Sequence, residues 1–291
     1  MDRLELICYQ SEINRKKSVA GFKLDIFSRN VKKLKRHFSE SRLMILGAAI
    51  GLENSRSFPA SLPGDLGIKY FRESIKQRVS ETLRDVERSP SQAGQDLFVL
   101  MHSGFKRNGF FVEFGAADGI RHSNTQLLEE AYGWRGILAE PARYAHSALS
   151  TNRNCVIDKR CVWHSTGEQL EFSETESNQL STISTFVDAD SHSAARKKAR
   201  KYSVDTVSLM DLLIEHDAPK HIDYLSVDTE GSEFEILKAF DFSAYDVAII
   251  TCEHNFTPQR ERIHALLSAA GYERKFQKLS MMDDWYIKAK N

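Results

Sequence analysis

Residues 110–119 read Phe-Phe-Val-Glu-Phe-Gly-Ala-Ala-Asp-Gly, and this stretch decides the fold. Its first five residues form an apolar run that only Glu113 interrupts, which is typical of a strand buried on both faces of a parallel sheet. Gly115 and Gly119 then permit a sharp turn, because glycine adopts backbone conformations that other residues avoid. The stretch therefore predicts the strand and turn that open a βαβ unit.

Apolar runs of strand length alternate with helical periodicity over the rest of residues 89–291, which predicts an α/β domain with a parallel sheet. The predicted strands after the first cover residues 137–139, 155–157, 224–227 and 247–251, and residues 272–278 and 285–289 are predicted to form an antiparallel hairpin. Between them, residues 168–202 are mostly polar. This region is predicted to be a solvated face or loop, with a phosphate clamp as the alternative, and its basic run is Arg196, Lys197, Lys198, Arg200 and Lys201.

Four helix ends can be predicted from the sequence. Gly133 is predicted to end a helix in the left-handed conformation. Ser208 and Asp211 form a capping box at the start of another helix. Thr257 and Pro258 are predicted to be the N-cap and the first residue of a third helix, which Gly271 ends.

The N-terminal part of the chain differs from the rest in its net charge. The 40 basic and 40 acidic residues balance, but residues 1–90 hold 18 basic and 11 acidic side chains, and the remainder holds 22 and 29. Residues 1–88 carry no motif for chemistry and are predicted to be a basic, partly helical extension. Contact with a membrane surface or a polyanion is the alternative. The longest apolar run, Leu43 to Leu52, has about half the length of a membrane-spanning helix.

Cysteine content and the N-terminal residues indicate a cytoplasmic protein. The four cysteines are irregularly spaced, which argues against a disulfide framework. Cys155, Cys161 and His164 match no zinc pattern, so no metal site is predicted. The first residues lack the apolar core of a secretory signal.

The candidate site lies where the predicted strands end, because ligands of open α/β sheets bind beyond the carboxyl ends of the strands. Ionisable residues or glycines occur at four such places. They are Glu113 with Gly115 and Gly119, Glu140, Asp228 with Glu230, and Glu253 with His254.

The first turn lacks the middle glycine of the dinucleotide pattern, since Ala116 and Ala117 stand there. An acidic residue in the first strand, Glu113, would also repel phosphate and attract a cation. Glu140, 21 residues after Gly119, is placed to accept hydrogen bonds from both hydroxyls of a ribose. Together these features favour S-adenosylmethionine over a nicotinamide cofactor, which stays the alternative.

At these residues the chain resembles the FkbM family of methyltransferases over residues 89–291. The matching stretches are Ser91-Gln-x-Gly-Gln-Asp96, residues 111–119, Ser123-Asn-Thr125, Gly133-Trp-x-Gly136, Glu140-Pro141, residues 223–233 and Glu253-His-Asn255. The resemblance implies a class I methyltransferase fold, which is Rossmann-like, with a doubly wound and mostly parallel seven-stranded sheet. It also implies S-adenosyl-L-methionine as donor and a hydroxyl of a sugar, polyketide or similar metabolite as acceptor.

The predicted roles follow from this chemistry. Asp228 is expected near the donor, and His254 or Glu230 is expected to act as general base, with Glu253 beside them. Ser123, Asn124 and Thr125 are expected either to cap a helix or to contact the donor, and the sequence does not separate these roles. The predicted cofactor-binding residues are Glu113, Gly115, Ala116, Asp118, Gly119, Asn124, Thr125, Glu140, Pro141 and Asp228.

Two other functions remain open at this point: a nicotinamide-dependent oxidoreductase, and a methyltransferase-like module that binds a partner without catalysis. Nucleic acid is not an expected partner, because the part of the chain after residue 90 is net acidic. A small molecule or a glycan is the expected acceptor.

Overall fold

The computed structural model describes residues 80–175, 181–186, 196, 198–277 and 280–289. Residue contacts divide the chain into two units, Met1–Arg88 and Ser89–Asn291. Residues 80–88 of the first unit are described and form a helix. The rest of the predicted N-terminal extension, including the apolar run from Leu43, lies outside the described residues. Among the helices that are described, none is both long enough and apolar enough to cross a membrane.

The second unit contains six helices and eleven strands in its described residues. The helices are α1 (Gln95–His102), α2 (Gln126–Tyr132), α3 (His146–Asn152), α4 (Leu209–Glu215), α5 (Glu233–Ala239) and α6 (Gln259–Ala269). The strands are β1 (Phe110–Phe114), β2 (Arg135–Ala139), β3 (Val156–Asp158), β4 (Cys161–Trp163), β5 (Gln169–Glu174), β6 (Thr182–Ile183), β7 (Arg200–Ser208), β8 (His221–Val227), β9 (Asp246–Glu253), β10 (Tyr272–Lys275) and β11 (Asp283–Lys288). This is a mixed α/β unit, as predicted.

The larger sheet has the strand order β10-β11-β9-β8-β1-β2-β3 and is mostly parallel. Strands β9, β8, β1, β2 and β3 pair in parallel from neighbour to neighbour. The last six residues of β8 are all buried, as is typical of a central strand in a parallel sheet. The carboxyl ends of β1, β2, β8 and β9 therefore lie at the same edge of the sheet.

The end of the chain forms the predicted antiparallel pair. β10 pairs with β11, from Tyr272 opposite Lys288 to Lys275 opposite Trp285. β11 also pairs antiparallel with β9, so it lies between β9 and β10. Trp285 and Tyr286 are fully buried there.

The prediction of a loop is wrong for residues 169–174, 182–183 and 200–202, because β5, β6 and the start of β7 belong to a second sheet with the order β4-β7-β5-β6. The solvated face is confirmed for Lys198, Arg200 and Lys201, which are exposed, and residues 176–180, 187–195 and 197 lie outside the described residues. In the second sheet, Phe172 and Val204 pack with Ala142, Cys161 and Ile183 in an apolar cluster. Glu171, Ser203 and Asp205 beside them along β5 and β7 are exposed, so each strand offers only a few apolar residues. Pairing between segments far apart in the sequence forms this sheet, and local periodicity does not reveal it.

Three of the four predicted helix ends are confirmed, and one of these is Gly271, which has a φ of 87° and directly follows the C-cap residue Ala270 of α6. The backbone N–H of Asp211 donates to Oγ of Ser208, and Gly133 has a φ of 68° directly after α2. The prediction for Thr257 and Pro258 is wrong by one residue, because α6 begins at Gln259 and Pro258 is its N-cap. The N–H of Thr257 donates to the carbonyl of His254, so Thr257 belongs to the preceding turn.

Candidate active site

A cavity of about 320 Å³ lies at the carboxyl ends of β1, β2, β8 and β9. Seven of the residues predicted for the site line it: Gly115, Ala116, Glu140, Pro141, Asp228, Glu230 and Glu253. They come from four separate strand ends. Six other predicted residues are not in its lining: Glu113, Asp118, Gly119, Asn124, Thr125 and His254.

The turn after β1 is packed against the turn after β8. Gly115 has a φ of 75°, and a Cβ atom on it would lie 1.9 Å from the backbone oxygen of Asp228. Gly119 has a φ of 79°, and its Cβ would lie 2.7 Å from the side chains of Arg153 and Leu149. At both positions the space that glycine leaves is occupied by protein atoms. The contact at Gly115 fixes the distance between the two turns that form the cavity wall.

Glu140 is held by backbone N–H groups on both of its oxygens. Oε2 accepts from Ala117 at 2.7 Å, and Oε1 accepts from Ala142 at 2.8 Å. Burial raises the pKa of Glu140 from about 4.5 to about 7, although these two hydrogen bonds lower it. The carboxyl group is therefore fixed in the cavity wall and changes its charge near neutral pH.

Glu113 is bound by protein groups on the other side of the turn. Its oxygens accept from the hydroxyl of Thr125, from the backbone N–H of Asn124 at 2.7 Å and from the hydroxyl of Ser123 at 3.2 Å. Nη1 of Arg153 lies 3.7 Å from Oε2 of Glu113. The charge of Glu113 is therefore compensated within the protein.

The buried Arg153 connects this region. It donates to the carboxylate of Glu129 at 2.6 Å, to the hydroxyls of Ser123 and Thr125, and to the backbone oxygen of Gly119. Ser123 Oγ also accepts from the N–H of Gln126 at the start of α2, so Ser123 has the predicted capping role. Ser123 lines the cavity as well. The segment from Gly119 to Thr125 is thus held by one buried guanidinium.

Asp118 and Asn124 have structural contacts of their own. Oδ1 of Asp118 accepts from the N–H groups of Ile120 and Arg121, which closes the turn after Gly119. Nδ2 of Asn124 donates to Oγ of Ser226 in β8 at 2.9 Å. The predicted donor contacts of these two residues stay predictions.

Asp228, Glu230 and Glu253 form a carboxylate cluster, in which one oxygen of each lies within 4.8 Å of the others. Burial raises the pKa values of Asp228 and Glu253, and the neighbouring carboxylates raise them further. Oε2 of Glu253 is buried and has no hydrogen-bond partner among the described residues. The cluster therefore places three carboxyl groups close together, and this arrangement favours the protonated forms of Asp228 and Glu253.

Glu230 differs from the other two because it is bound by a cation. Nη2 of Arg196 lies 2.6 Å from Oε2 of Glu230, and Nδ2 of Asn255 donates to the same oxygen at 3.2 Å. The prediction of a solvated face is wrong for Arg196, whose side chain has no exposed area. Glu230 has a φ of 58°, so its backbone is in the left-handed region, and this turn depends on such contacts.

His254 lies in the wall of a second cavity of about 360 Å³. Its Nδ1 accepts from the N–H of Phe256 at 3.0 Å, and its Nε2 lies 3.8 Å from Oδ1 of Asp284. Burial lowers the pKa of His254, so the neutral ring is favoured. Glu253 and Asn255 line both cavities and therefore form a shared wall.

Several lining residues were not among the predicted site residues. They are Gln92, Ala117, Arg121, His122, Cys161, Val162, Phe172, Ser181, Ile183, Thr229, Ser232, Asn255 and Met282, with Phe114 and Ala139 from the strands. Asn255 directly follows His254 after the end of β9, and this position could have predicted it as a site residue. No sequence feature indicated the lining residues of the smaller sheet, such as Phe172 and Ile183, because that sheet was not predicted.

Residues 113–274 match the family model described as "Methyltransferase FkbM domain". The match covers more than half of the 291 residues, and the chain belongs to the FkbM methyltransferase family. A comparison with curated proteins finds no match. The family predicted from the sequence is thereby confirmed.

Proposed function

We propose that this protein is an S-adenosylmethionine-dependent methyltransferase that acts on a hydroxyl oxygen of a small metabolite or glycan. One observation carries the proposal: Gly115, Glu140 and Asp228, from three strand ends, line one cavity of about 320 Å³ in a chain of the FkbM family. The doubly wound, Rossmann-like arrangement of class I methyltransferases is part of the proposal. The order of the five parallel strands supports it.

The residues present fit the donor. Both oxygens of Glu140 are oriented by backbone N–H groups at the end of β2, the position from which an acidic residue binds ribose hydroxyls in related folds. Ala116 and Ala117 offer backbone next to it, and the carboxylates of Asp228 and Glu253 favour a positively charged group. Bound S-adenosylmethionine supplies an activated methyl group on a sulfonium.

The chain's own contribution is then to position the acceptor and to accept its proton. Asp228 and Glu253 line the donor cavity, and Glu253 also faces the second cavity. We place the acceptor in the second cavity and give these two carboxylates the proton-accepting role. Glu230 is less suited to this role because Arg196 binds its Oε2, and His254 is less suited because its Nδ1 already accepts a hydrogen bond from Phe256.

A small molecule or glycan is the acceptor class, because a cavity with three carboxylates disfavours the phosphates of nucleic acid. The cytoplasm is the proposed compartment. Cys155, Cys161 and Cys252 are free thiols, which is usual in a reducing environment.

Calorimetry on the full chain tests the donor. We expect S-adenosylmethionine and its demethylated product to bind and NAD to give no heat, and Glu140→Ala to weaken donor binding by about tenfold or more. Glu261→Gln, which changes an exposed carboxylate on α6, is the matched control and should bind like the wild type. Binding of NAD in place of S-adenosylmethionine would support the oxidoreductase, and binding of neither would support the non-catalytic module.

A second experiment identifies the acceptor. Metabolite extracts incubated with the protein and a donor carrying a labelled methyl group should yield a labelled product, which mass spectrometry assigns. Fragmentation then shows whether the label is on oxygen. A label on nitrogen or carbon would overturn the proposed O-methylation while leaving the methyltransferase intact.

A further inference from the structure

We infer that the carboxylate cluster of Asp228, Glu230 and Glu253 is a binding site for a hard divalent cation of the Mg²⁺, Mn²⁺ or Ca²⁺ class. The sequence predicted no metal site, because these residues are spread over 26 positions of the chain, from 228 to 253. The fold brings their oxygens to the same side of the cavity. The site described here consists of oxygen ligands alone, and such ligands select hard cations.

The spacing of the oxygens suits a cation. One oxygen of each carboxylate lies within 4.8 Å of the others. Two ligands of one ion are at most twice the ion–oxygen distance apart, which is about 4.8 Å for Ca²⁺ and about 4.2 Å for Mg²⁺. The oxygens are therefore close enough for one ion to bind all three after a small contraction, which is smaller for Ca²⁺ than for Mg²⁺.

An unpaired buried atom is the second observation that points to a ligand. Glu253 is 7% exposed and lines the cavity, and its Oε2 has no hydrogen-bond partner among the described residues. A buried polar atom without a partner is costly. Other groups of the described chain already serve the adjacent carboxylate Glu233, which accepts from the N–H groups of Thr229 and Gly231. A cation bound through Oε2 of Glu253 would satisfy this oxygen.

The charges around the cluster agree with a divalent ion. A bound divalent cation would favour the ionised forms of the three carboxylates, and the guanidinium of Arg196 already offsets the charge of Glu230. Glu233 and Asp283 are further buried carboxyl groups close to Asp228 and Glu253. Arg196 and Asn255 both bind Oε2 of Glu230 and fix its orientation, which is the usual role of groups behind a metal ligand.

The consequence for catalysis rests on the proposed methyltransferase function. Three carboxylates leave coordination positions open, because these cations take six or more ligands. An acceptor hydroxyl bound at one of them would lose its proton more readily, since a cation stabilises the alkoxide, and the proton would pass to the oxygen of Asp228 or Glu253 that does not bind the ion. The cation would therefore select acceptors whose reactive oxygen reaches the shared wall at Glu253.

The test is a titration of the full, metal-free chain with Mn²⁺. Electron paramagnetic resonance measures the free ion during the titration, and calorimetry measures the heat of binding. We expect one Mn²⁺ per chain and competition by Mg²⁺ and Ca²⁺. Glu253→Gln and Asp228→Asn should each weaken Mn²⁺ binding by about tenfold or more. Glu261→Gln, an exposed carboxylate away from the cavity, should bind Mn²⁺ like the wild type.

Circular dichroism and donor calorimetry on the same variants separate a lost ligand from a lost fold. Absence of Mn²⁺ binding at millimolar concentration, or binding that both cluster variants leave unchanged, overturns the cation site. Mn²⁺ binding without any binding of S-adenosylmethionine keeps the cation site and overturns the proposed function. If a cluster variant fails to fold, the stoichiometry and the ion's coordination sphere in the wild type decide the question.

Discussion

The guanidinium of Arg196 lies 2.6 Å from the carboxylate of Glu230, and the arginine side chain is fully buried. Thr182 in β6 also donates its hydroxyl to the backbone oxygen of Glu230 at 2.9 Å. Two groups from the region between β5 and β7 therefore hold the turn that follows β8. Because Glu230 lines the cavity, the small sheet contributes to the geometry of the candidate site.

Arg196→Met should destabilise the protein by about 3–5 kcal/mol, since it removes the buried guanidinium that offsets the charge of the Glu230 carboxylate. Urea unfolding followed by circular dichroism measures the change. Arg200→Met, at an exposed position only four residues away, is the control and should have little effect. Equal destabilisation by both variants would contradict a specific role for the ion pair.

Gly115→Ala should cost at least about 2 kcal/mol, because alanine would have to adopt a left-handed φ and its Cβ would overlap the backbone oxygen of Asp228. Gly167→Ala is the matched control. Gly167 has a φ of 86°, but no atom lies within 4 Å of its Cβ position. The difference between the two unfolding free energies isolates the contact with Asp228, and a difference near zero would show that the turns can separate.

Glu140 should make donor binding depend on pH. Its pKa of about 7 in the folded protein lies above the ordinary value. In the protein without donor, the Glu140 carboxyl is therefore mostly protonated below pH 7. Ribose hydroxyls donate to the ionised form, and affinity for S-adenosylmethionine should therefore rise about tenfold from pH 6 to pH 8. Calorimetry at several pH values measures this, and Glu140→Gln should bind weakly with a flatter profile.

The same pKa has a consequence for stability. Between about pH 4.5 and pH 7 the folded protein holds a proton on Glu140 that the unfolded chain has released. The contribution of Glu140 to stability is therefore greatest below this range and decreases as the pH rises through it. Glu140→Gln should remove this part of the pH dependence of the unfolding free energy. An unchanged slope would show that Glu140 has an ordinary pKa.

Glu113→Gln should mainly reduce stability, whereas Glu140→Gln should mainly reduce donor binding. Glu113 accepts from Ser123, Asn124 and Thr125 and lies near Arg153, so its loss should lower the unfolding free energy by about 2–4 kcal/mol. Donor affinity of the folded protein should stay within a few fold. A large loss of affinity at unchanged stability would instead support the predicted donor contact of Glu113.

Much of the large sheet is predictable from local sequence. Only residues close by in the sequence determine the strand at Phe110–Phe114, the helix end at Gly133 and the helix cap at Ser208. The start of α6 was predicted one residue early, since Thr257 fits an N-cap but is used in the turn after β9. Strand patterns and helix caps depend on neighbouring residues, so they can be predicted before the fold is known.

The sequence by itself determined that carboxylates and glycines follow successive buried strands, because a continuous apolar run and the turn after it are local properties. Only the tertiary structure decided which carboxylates face the cavity. Glu113 is bound near Arg153, 40 positions along the chain, and Glu230 is bound by Arg196, 34 positions away. The partner of a buried charge is set by packing between distant segments, and the sequence around each residue does not contain that information.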